Sequence, residues 1–153
     1  ARLLAAKGRV RTMPPPVLIY DVSVVDALAV EVPTWARAMM AELWPGALTL
    51  ICQAQPSLSW DLGDTKGTVA IRVPAHEHAR DVLRQTGPLA VSSANRTGEP
   101  AARTVYLDGG HAGEGSASTI LDIASRVPQV VRLGGVSLED LRVFNNTIEM
   151  SED

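Results

Sequence analysis

The sequence predicts a single α/β domain with a mixed β-sheet, and three observations lead to this prediction. The chain has 153 residues, of which 46% are hydrophobic and 20% charged, so one domain can bury roughly two-thirds of its unfolded surface. Short apolar runs alternate with segments of helical periodicity. Their order is irregular and contains no internal repeat, which favours a mixed sheet over a regular series of parallel βαβ units.

Strands are predicted where short runs rich in Val, Ile, Leu and Thr are bounded by proline, glycine or polar residues. The first run, for example, follows Pro14-Pro15-Pro16, which prevents a helix from extending into it. In chain order, the predicted strands are residues 17–20, 47–53, 68–73, 88–91, 106–107, 119–123 and 129–133.

Helices are predicted where capping residues precede apolar positions at helical spacing. Ser23 and Asp26 have the spacing of a capping box, and Thr34 can cap the next helix. The Pro45-Gly46 pair ends that helix, and Gly87 is the expected C-terminal cap of a later one. In chain order, the predicted helices are residues 1–7, a short helix from Ser23, residues 35–43, residues 75–86 and a short helix capped by Ser137 with Asp140.

These patterns also exclude several broad classes of protein. No apolar run approaches the roughly 20 residues that span a bilayer, and no signal peptide opens the sequence. Cys52 is the single cysteine, which excludes an intrachain disulfide framework and fits a reducing compartment. A net charge of −3 argues against nucleic-acid binding through a broad basic face. We therefore expect a cytoplasmic protein.

The sequence shows no strong motif for metal binding or for serine hydrolysis. His76 and His78 are two residues apart at a helix start, so their side chains point to different faces and shared metal ligation is not expected. Asp61 and Asp64 lie in one loop, which is either a solvated turn or a site for a divalent ion. No Gly-x-Ser-x-Gly motif is present. No metal site is therefore predicted.

Polar and cationic residues lie instead beside the predicted strands. Lys7 and Arg9 flank a glycine at a helix exit, where they form either a polyphosphate site or a solvated helix end. Ser92-Ser-Ala-Asn95 follows an apolar strand, a position where hydroxyl and amide groups bind a nucleotide or cap a helix. Thr68 and Arg72 are four residues apart on one strand, so both side chains face the same way.

Seven segments, taken together, are far more specific than any one of them. In chain order they are Lys7-Gly-Arg9, Trp44-Pro-Gly-Ala-Leu-Thr-Leu50, Thr68-Val-Ala-Ile-Arg-Val-Pro74, Ser93-Ala-Asn95-Arg-Thr-Gly98, Leu107-Asp-Gly-Gly110, Ser118-Thr-Ile-Leu-Asp122 and Arg132-Leu-Gly-Gly-Val-Ser137. This series resembles the YrdC family, the threonylcarbamoyl-AMP synthases, across nearly the whole chain. The resemblance implies a twisted mixed sheet flanked by helices, with a large concave, positively charged cavity.

The resemblance also implies an activity and a set of site residues. The implied enzyme converts L-threonine, bicarbonate and ATP, with Mg²⁺ accompanying ATP, into threonylcarbamoyl-AMP and pyrophosphate. The product serves the synthesis of threonylcarbamoyladenosine in tRNA, which implies downstream tRNA-modification proteins, and RNA contact, as partners. By motif position, the implied catalytic residues are Lys7, Arg9, Ser93 and Asn95. The implied ATP-binding residues are Lys7, Arg9, Thr68, Ser93, Asn95 and Arg132, and the implied threonine-binding residues are Arg72, Ser92 and Ser118.

One departure from the family pattern and two alternative functions accompany this prediction. The family's N-terminal Thr-x-Thr-x-Tyr-Gly-Leu segment, which contributes to the threonine pocket, has no counterpart in the sequence. The resembling domain covers residues 1–144, and residues 145–153 are expected to form a polar tail. The first alternative function is a non-catalytic module that binds double-stranded RNA or tRNA. The second is a carbamoyl-transfer domain of the hydrogenase-maturation type, against which the single cysteine argues.

Overall fold

Eight strands form one mixed sheet in the part of the chain that the structure describes. The structure is a computed structural model, and it describes Leu3, residues 14–92 and residues 117–152. The strands are β1 (Val17–Leu18), β2 (Ala29–Val30), β3 (Leu48–Ala54), β4 (Thr68–Arg72), β5 (Leu89–Ala90), β6 (Thr119–Asp122), β7 (Gln129–Arg132) and β8 (Glu149–Met150). The order across the sheet is β5-β1-β4-β3-β6-β7-β8, and β2 pairs with β3.

Both directions of pairing occur in this sheet. The pairs β1–β4, β3–β6 and β7–β8 are parallel, whereas β1–β5, β2–β3, β3–β4 and β6–β7 are antiparallel. Parallel neighbours require crossover connections, and the helices lie in the segments between these strands. The prediction of an α/β fold with a mixed sheet is therefore confirmed.

The described helices are short and differ from the predicted ones mainly at their N-termini. They are a 3₁₀ turn (Val22–Val24), α1 (Val25–Leu28), α2 (Thr34–Leu43), α3 (Glu77–Thr86) and α4 (Leu138–Arg142). The first cap is Asp21, whose carboxylate accepts a hydrogen bond from the Ser23 N–H at 2.9 Å, so the predicted capping box from Ser23 is wrong. Thr34 is the first residue of α2 and makes no capping hydrogen bond. No described helix has the length and apolar character that a membrane span requires.

Alternation along the central strands separates a core face from an open face. Leu48, Leu50 and Cys52 of β3 are buried, as are Val69 and Ile71 of β4. Full burial of such side chains stabilises the fold by about 1.5–3 kcal/mol each. Burial also raises the pKa of the Cys52 thiol to about 12, and Cys52 packs in the core as a small hydrophobic residue.

The C-terminal segment packs into the fold and is not the polar tail that its composition predicts. Ile148 is fully buried in the core, and β8 pairs with β7 through Gln129 and Val130. Arg142 donates from Nε to the carbonyl oxygen of Ile148 at 2.9 Å. One buried isoleucine and one strand pairing therefore attach a segment that is otherwise polar and acidic.

We expect substitution of Ser137 by alanine to destabilise the domain by about 1 kcal/mol. Ser137 and Asp140 form the predicted capping box of α4: Ser137 Oγ accepts from the Asp140 N–H at 3.1 Å, and Asp140 Oδ2 accepts from the Ser137 N–H at 3.2 Å. Urea unfolding would measure the loss. Ser57→Ala, in an exposed turn, is the matched control, and an equal loss in both variants would contradict the capping role.

Candidate functional site

A cavity of about 700 Å³ opens mainly on the open face of the sheet. Its volume lies within the range of small-molecule and cofactor sites. The described lining comes from β3, β4, β6, β7 and neighbouring loops: Pro14, Pro15, Pro16, Thr49, Ile51, Leu62, Thr65, Thr68, Val69, Ala70, Val91, Ser92, Ser118, Ile120, Val131 and Arg132. These lining side chains supply hydroxyl groups and a guanidinium group but no carboxylate. The described lining therefore suits an anionic ligand.

The strand register places two arginines at opposite ends of one row across the sheet. Thr49 pairs with Ile120, and Ile120 pairs with Arg132. In the β3–β4 ladder Leu50 pairs with Ile71, and continuing that register by one pair places Thr49 opposite Arg72. Four strands at a spacing of about 4.8 Å put the two arginine Cα atoms about 14 Å apart. Two long side chains can therefore approach one ligand from opposite sides.

Arg132 is fixed at its end of the row by Ser118. Its Nη2 donates to the Ser118 carbonyl oxygen at 2.7 Å and to Ser118 Oγ at 3.2 Å, and its Nε donates to the same carbonyl at 3.2 Å. Ser118 Oγ in turn lies 2.9 Å from Thr49 Oγ1, and both hydroxyl-bearing residues are buried. These bonds set the orientation of the guanidinium before any ligand binds.

The segment after Arg132 is held against β6 by a buried threonine. Thr119 Oγ1 donates to the Val136 carbonyl oxygen at 2.6 Å and accepts from the N–H groups of Gly134 and Val136 at 2.8 and 3.1 Å. A Cβ atom on Gly134 would overlap the carbonyl oxygen of Ala117. Glycine is therefore required where this segment passes closest to the start of β6.

Arg72 is held at the other end of the row by the loop before β3. Its Nε donates to the carbonyl oxygen of Gly46 at 2.8 Å, and the Gly46 N–H donates to the Val73 carbonyl at 3.0 Å. Trp44 anchors the same loop, since its Nε1 donates to the Leu48 carbonyl at 2.8 Å. The Trp-Pro-Gly segment thus fixes Arg72 through a backbone carbonyl.

Arg72 is affected by burial and by the charge of Arg132. Burial lowers the pKa of Arg72, and the positive charge of Arg132 lowers it further. Neither guanidinium forms a salt bridge with a carboxylate in the described part of the chain. Two cations that lie close together without an acidic partner favour an anion between them.

Two further predicted site residues line the cavity. Thr68 Oγ1 donates to the Thr65 carbonyl at 2.7 Å, which leaves its oxygen lone pairs available as acceptors. Ser92 Oγ is buried and has no hydrogen-bond partner among the described residues. A buried hydroxyl without a partner costs about 1–3 kcal/mol, and a ligand in the cavity would satisfy it.

Four of the predicted site residues line the cavity, and a fifth, Arg72, lies on the same strand as one of them. Thr68, Ser92, Ser118 and Arg132 line the cavity, whereas Arg72 is not a lining residue and lies on the same face of β4 as Thr68. Four predicted catalytic residues lie outside the described residues: Lys7, Arg9, Ser93 and Asn95.

The described residues contain no group of three or more His, Cys, Asp or Glu side chains that could hold a metal ion. The His76 and His78 rings are 5.7 Å apart, and His76 Nδ1 accepts from the Ala79 N–H at 3.4 Å as the cap of α3. His76 therefore has a structural role at the helix start.

Sequence reasoning missed two residues that build the site. Both Thr49 and Thr119 were predicted only as members of a strand and of a family motif, with no role of their own. The sequence does offer one indication for Thr49. It lies between Leu48 and Leu50 in a strand, so its hydroxyl faces the side of the sheet opposite to these two leucines. No local pattern identifies Thr119, because its three hydrogen-bonding partners are backbone groups of Gly134 and Val136, which lie 15 and 17 residues away.

The chain is similar to known proteins in both sequence and fold. Residues 1–134 match the family model of the Sua5, YciO and YrdC proteins, whose description reads "Telomere recombination". A Mycobacterium leprae protein provisionally named threonylcarbamoyl-AMP synthase is 43% identical over 151 residues, covering 90% of this chain and 69% of that protein. The threonylcarbamoyl-AMP synthase of Bacillus subtilis is 34% identical over 166 residues, covering 99% of this chain and 48% of that protein.

A solved structure extends the likeness to three dimensions. The crystal structure of Pyrococcus abyssi Sua5 complexed with L-threonine superposes with a TM-score of 0.87 at 29% sequence identity. The match covers 98% of this chain and 48% of the Pyrococcus chain. This chain thus spans about half the length of the Bacillus and Pyrococcus proteins.

Proposed function

Because this chain belongs to the Sua5/YciO/YrdC family, as the sequence motifs indicate, we propose that it is an L-threonylcarbamoyladenylate synthase. The reaction combines L-threonine, bicarbonate and ATP into threonylcarbamoyl-AMP and pyrophosphate. Relatives at 34% and 43% identity are named for this activity, and the Pyrococcus homologue was solved with L-threonine. The product would supply the modification of tRNA to threonylcarbamoyladenosine by downstream proteins.

The observation that best supports this function is the row of anion-binding groups along the cavity. The reaction begins when the amine of threonine and bicarbonate form a carbamate with loss of water. A carbamate oxygen then attacks the α-phosphorus of ATP. The bond between the α-phosphorus and the oxygen that links it to the β-phosphate breaks, and pyrophosphate leaves. Bicarbonate and ATP are anions, and threonine carries a carboxylate. Oriented guanidinium and hydroxyl groups therefore supply the stabilisation that such a transfer needs.

The roles proposed for the described residues are those that the family resemblance implies, and the positions of these residues support them. Arg132 and Thr68 are proposed to bind ATP, and Arg72 is proposed to bind the carboxylate of threonine. Ser118 lies between Arg132 and the β3 strand, and with Ser92 it is proposed to contact threonine. Preorganised donors position the two substrates for in-line attack, and none of these side chains is needed as a covalent nucleophile.

Four more residues of the proposed site lie outside the described part of the chain. Lys7 and Arg9 are proposed to contact the phosphates of ATP, and Ser93 and Asn95 to bind the nucleotide. Mg²⁺ is expected to arrive with ATP and to be bound by phosphate oxygens, because the described cavity lining offers it no carboxylate. When bound, the ion would neutralise phosphate charge.

We expect the purified protein to release pyrophosphate from ATP only when threonine and bicarbonate are both present. Lys7→Ala, Arg9→Ala and Asn95→Ala should each lower this rate at least about tenfold, since each removes a charge-assisted or polar contact of roughly 1.5–3 kcal/mol. A coupled pyrophosphate assay, with each substrate omitted in turn, provides the measurement. Unchanged turnover in all three variants would reject the assigned residues.

The same assay separates catalysis from RNA binding. A module that only binds double-stranded RNA or tRNA would bind with a steep salt dependence and release no pyrophosphate. The described cavity, with its inward-facing hydroxyls, favours the catalytic function. Tight tRNA binding without substrate-dependent pyrophosphate release would instead support the RNA-binding alternative.

A further inference from the structure

Thr49 occupies the centre of the row between the two arginines and has no assigned role in the proposed reaction. It is 4% exposed and lines the cavity. Its Oγ1 lies 2.9 Å from Ser118 Oγ, and Ser118 Oγ accepts a hydrogen bond from Arg132 Nη2. Thr49 is thus linked to a cationic donor by a chain of two hydrogen bonds.

The direction of the hydrogen bond between Ser118 and Thr49 depends on which hydroxyl supplies the proton. Ser118 and Thr49 each have one hydroxyl proton, and one of those protons is used in the bond between them. Either hydroxyl can donate across this contact. A hydroxyl that accepts from a guanidinium becomes a stronger donor, and this cooperativity favours Ser118 as the donor to Thr49. The hydroxyl of Thr49 is then the last donor in the hydrogen-bonded series that starts at Arg132, and no described protein acceptor is bonded to its proton.

The position of this last donor indicates the ligand that it serves. Thr49 lies opposite Arg72 when the β3–β4 register is continued, and it is connected to Arg132 through Ser118. Neither arginine is paired with a carboxylate in the described residues. We propose that the Thr49 hydroxyl donates to an anionic oxygen of the amino-acid substrate, bound between Arg72 and Arg132.

This assignment rests on the proposed function and adds a residue to it. It predicts that Thr49→Val weakens L-threonine binding about tenfold, the effect of losing one hydrogen bond to a charged group. Titration calorimetry on the full chain would measure the dissociation constants for L-threonine and for L-threoninamide, which has no carboxylate. The preference of the wild type for threonine over threoninamide should shrink about tenfold in Thr49→Val.

Three controls make the result specific. Thr49→Ser keeps the hydroxyl and should restore most of the threonine affinity. Thr86→Val removes a hydroxyl that bonds the α3 backbone, and it should leave threonine binding unchanged. Thermal unfolding of Thr49→Val would show that the protein remains folded.

The possible outcomes separate this assignment from the proposed function. A Thr49→Val protein with wild-type affinity for threonine would overturn the assignment, as would a loss of ATP affinity with threonine affinity retained. A wild-type protein that neither binds threonine nor releases pyrophosphate would overturn both the proposed function and the assignment. Reduced affinity in Thr49→Val together with rescue by Thr49→Ser would support the assignment.

Discussion

Substitution of Arg72 by alanine should lower kcat/KM for threonine by a factor of about 100 or more while the fold is retained. The Arg72 Nε is bonded to Gly46, and this bond leaves both terminal NH₂ groups for two parallel hydrogen bonds to a carboxylate. Loss of a partly buried, charge-assisted pair costs about 3 kcal/mol or more, which corresponds to a factor of at least about 100 in rate. Steady-state kinetics with threonine as the varied substrate would measure it.

The stability of the Arg72 variants distinguishes a role in binding from a role in folding. Burial and the charge of Arg132 both lower the pKa of Arg72, so the folded protein disfavours its positive charge. Removing that charge offsets the lost hydrogen bond to Gly46, and we expect the free energy of unfolding to change by less than about 1 kcal/mol. Arg72→Lys keeps the charge but not the two-pronged geometry, and it should recover only part of the activity. A large fall in stability for Arg72→Ala, with normal turnover of the folded fraction, would contradict the binding role.

The sequence-based predictions succeeded where a local pattern is decisive. Thr68 and Arg72 have the same strand parity, and the structure places Val69 and Ile71 in the core and Thr68 and Arg72 on the other face. The capping box of Ser137 is confirmed as well. Both patterns depend on residues close in sequence, for which spacing alone determines direction.

Predictions failed where the structure depends on distant contacts. Strand β2 has two residues, as does β8, and two residues are too few to show an alternating pattern. The burial of Ile148 depends on the core that the rest of the chain forms, so composition alone predicted a tail. The cap at Asp21 was missed because Ser23 and Asp26 have the spacing of a capping box. In the structure Asp26 does not cap the helix but forms an ion pair with Arg37 at 2.6 Å.

The motifs indicate candidate site residues, but they do not explain how those residues are held in place. The family resemblance assigned Arg72 and Arg132 to substrates, and the described structure adds the groups that orient them. Gly46 accepts from one arginine and Ser118 from the other. These contacts connect segments 26 and 14 residues apart, so no local pattern could reveal them. The glycine of each motif is explained by close backbone contact, which leaves no space for a Cβ atom at Gly46 or Gly134.

Substitution of Thr119 by valine should be among the most destabilising changes in the described part of the chain. Valine keeps the shape of the side chain but removes a donor to the Val136 carbonyl and an acceptor for the N–H groups of Gly134 and Val136. Thr119 is fully buried, so water does not replace these bonds. Leaving these backbone groups unsatisfied costs about 3 kcal/mol or more in total, which lowers Tm by about 6–12 °C at this chain length.

The effect on activity should follow from the same bonds. Thr119 holds the segment that follows Arg132, and loss of that support allows the guanidinium to leave the Ser118 carbonyl. Activity measured well below the melting temperature of Thr119→Val should therefore fall through a higher KM for ATP. Thr119→Ser retains all three hydrogen bonds and should lose no more than about 1.5 kcal/mol, the cost of one buried methyl group. Equal stability of the valine and serine variants would show that packing, and not hydrogen bonding, secures this segment.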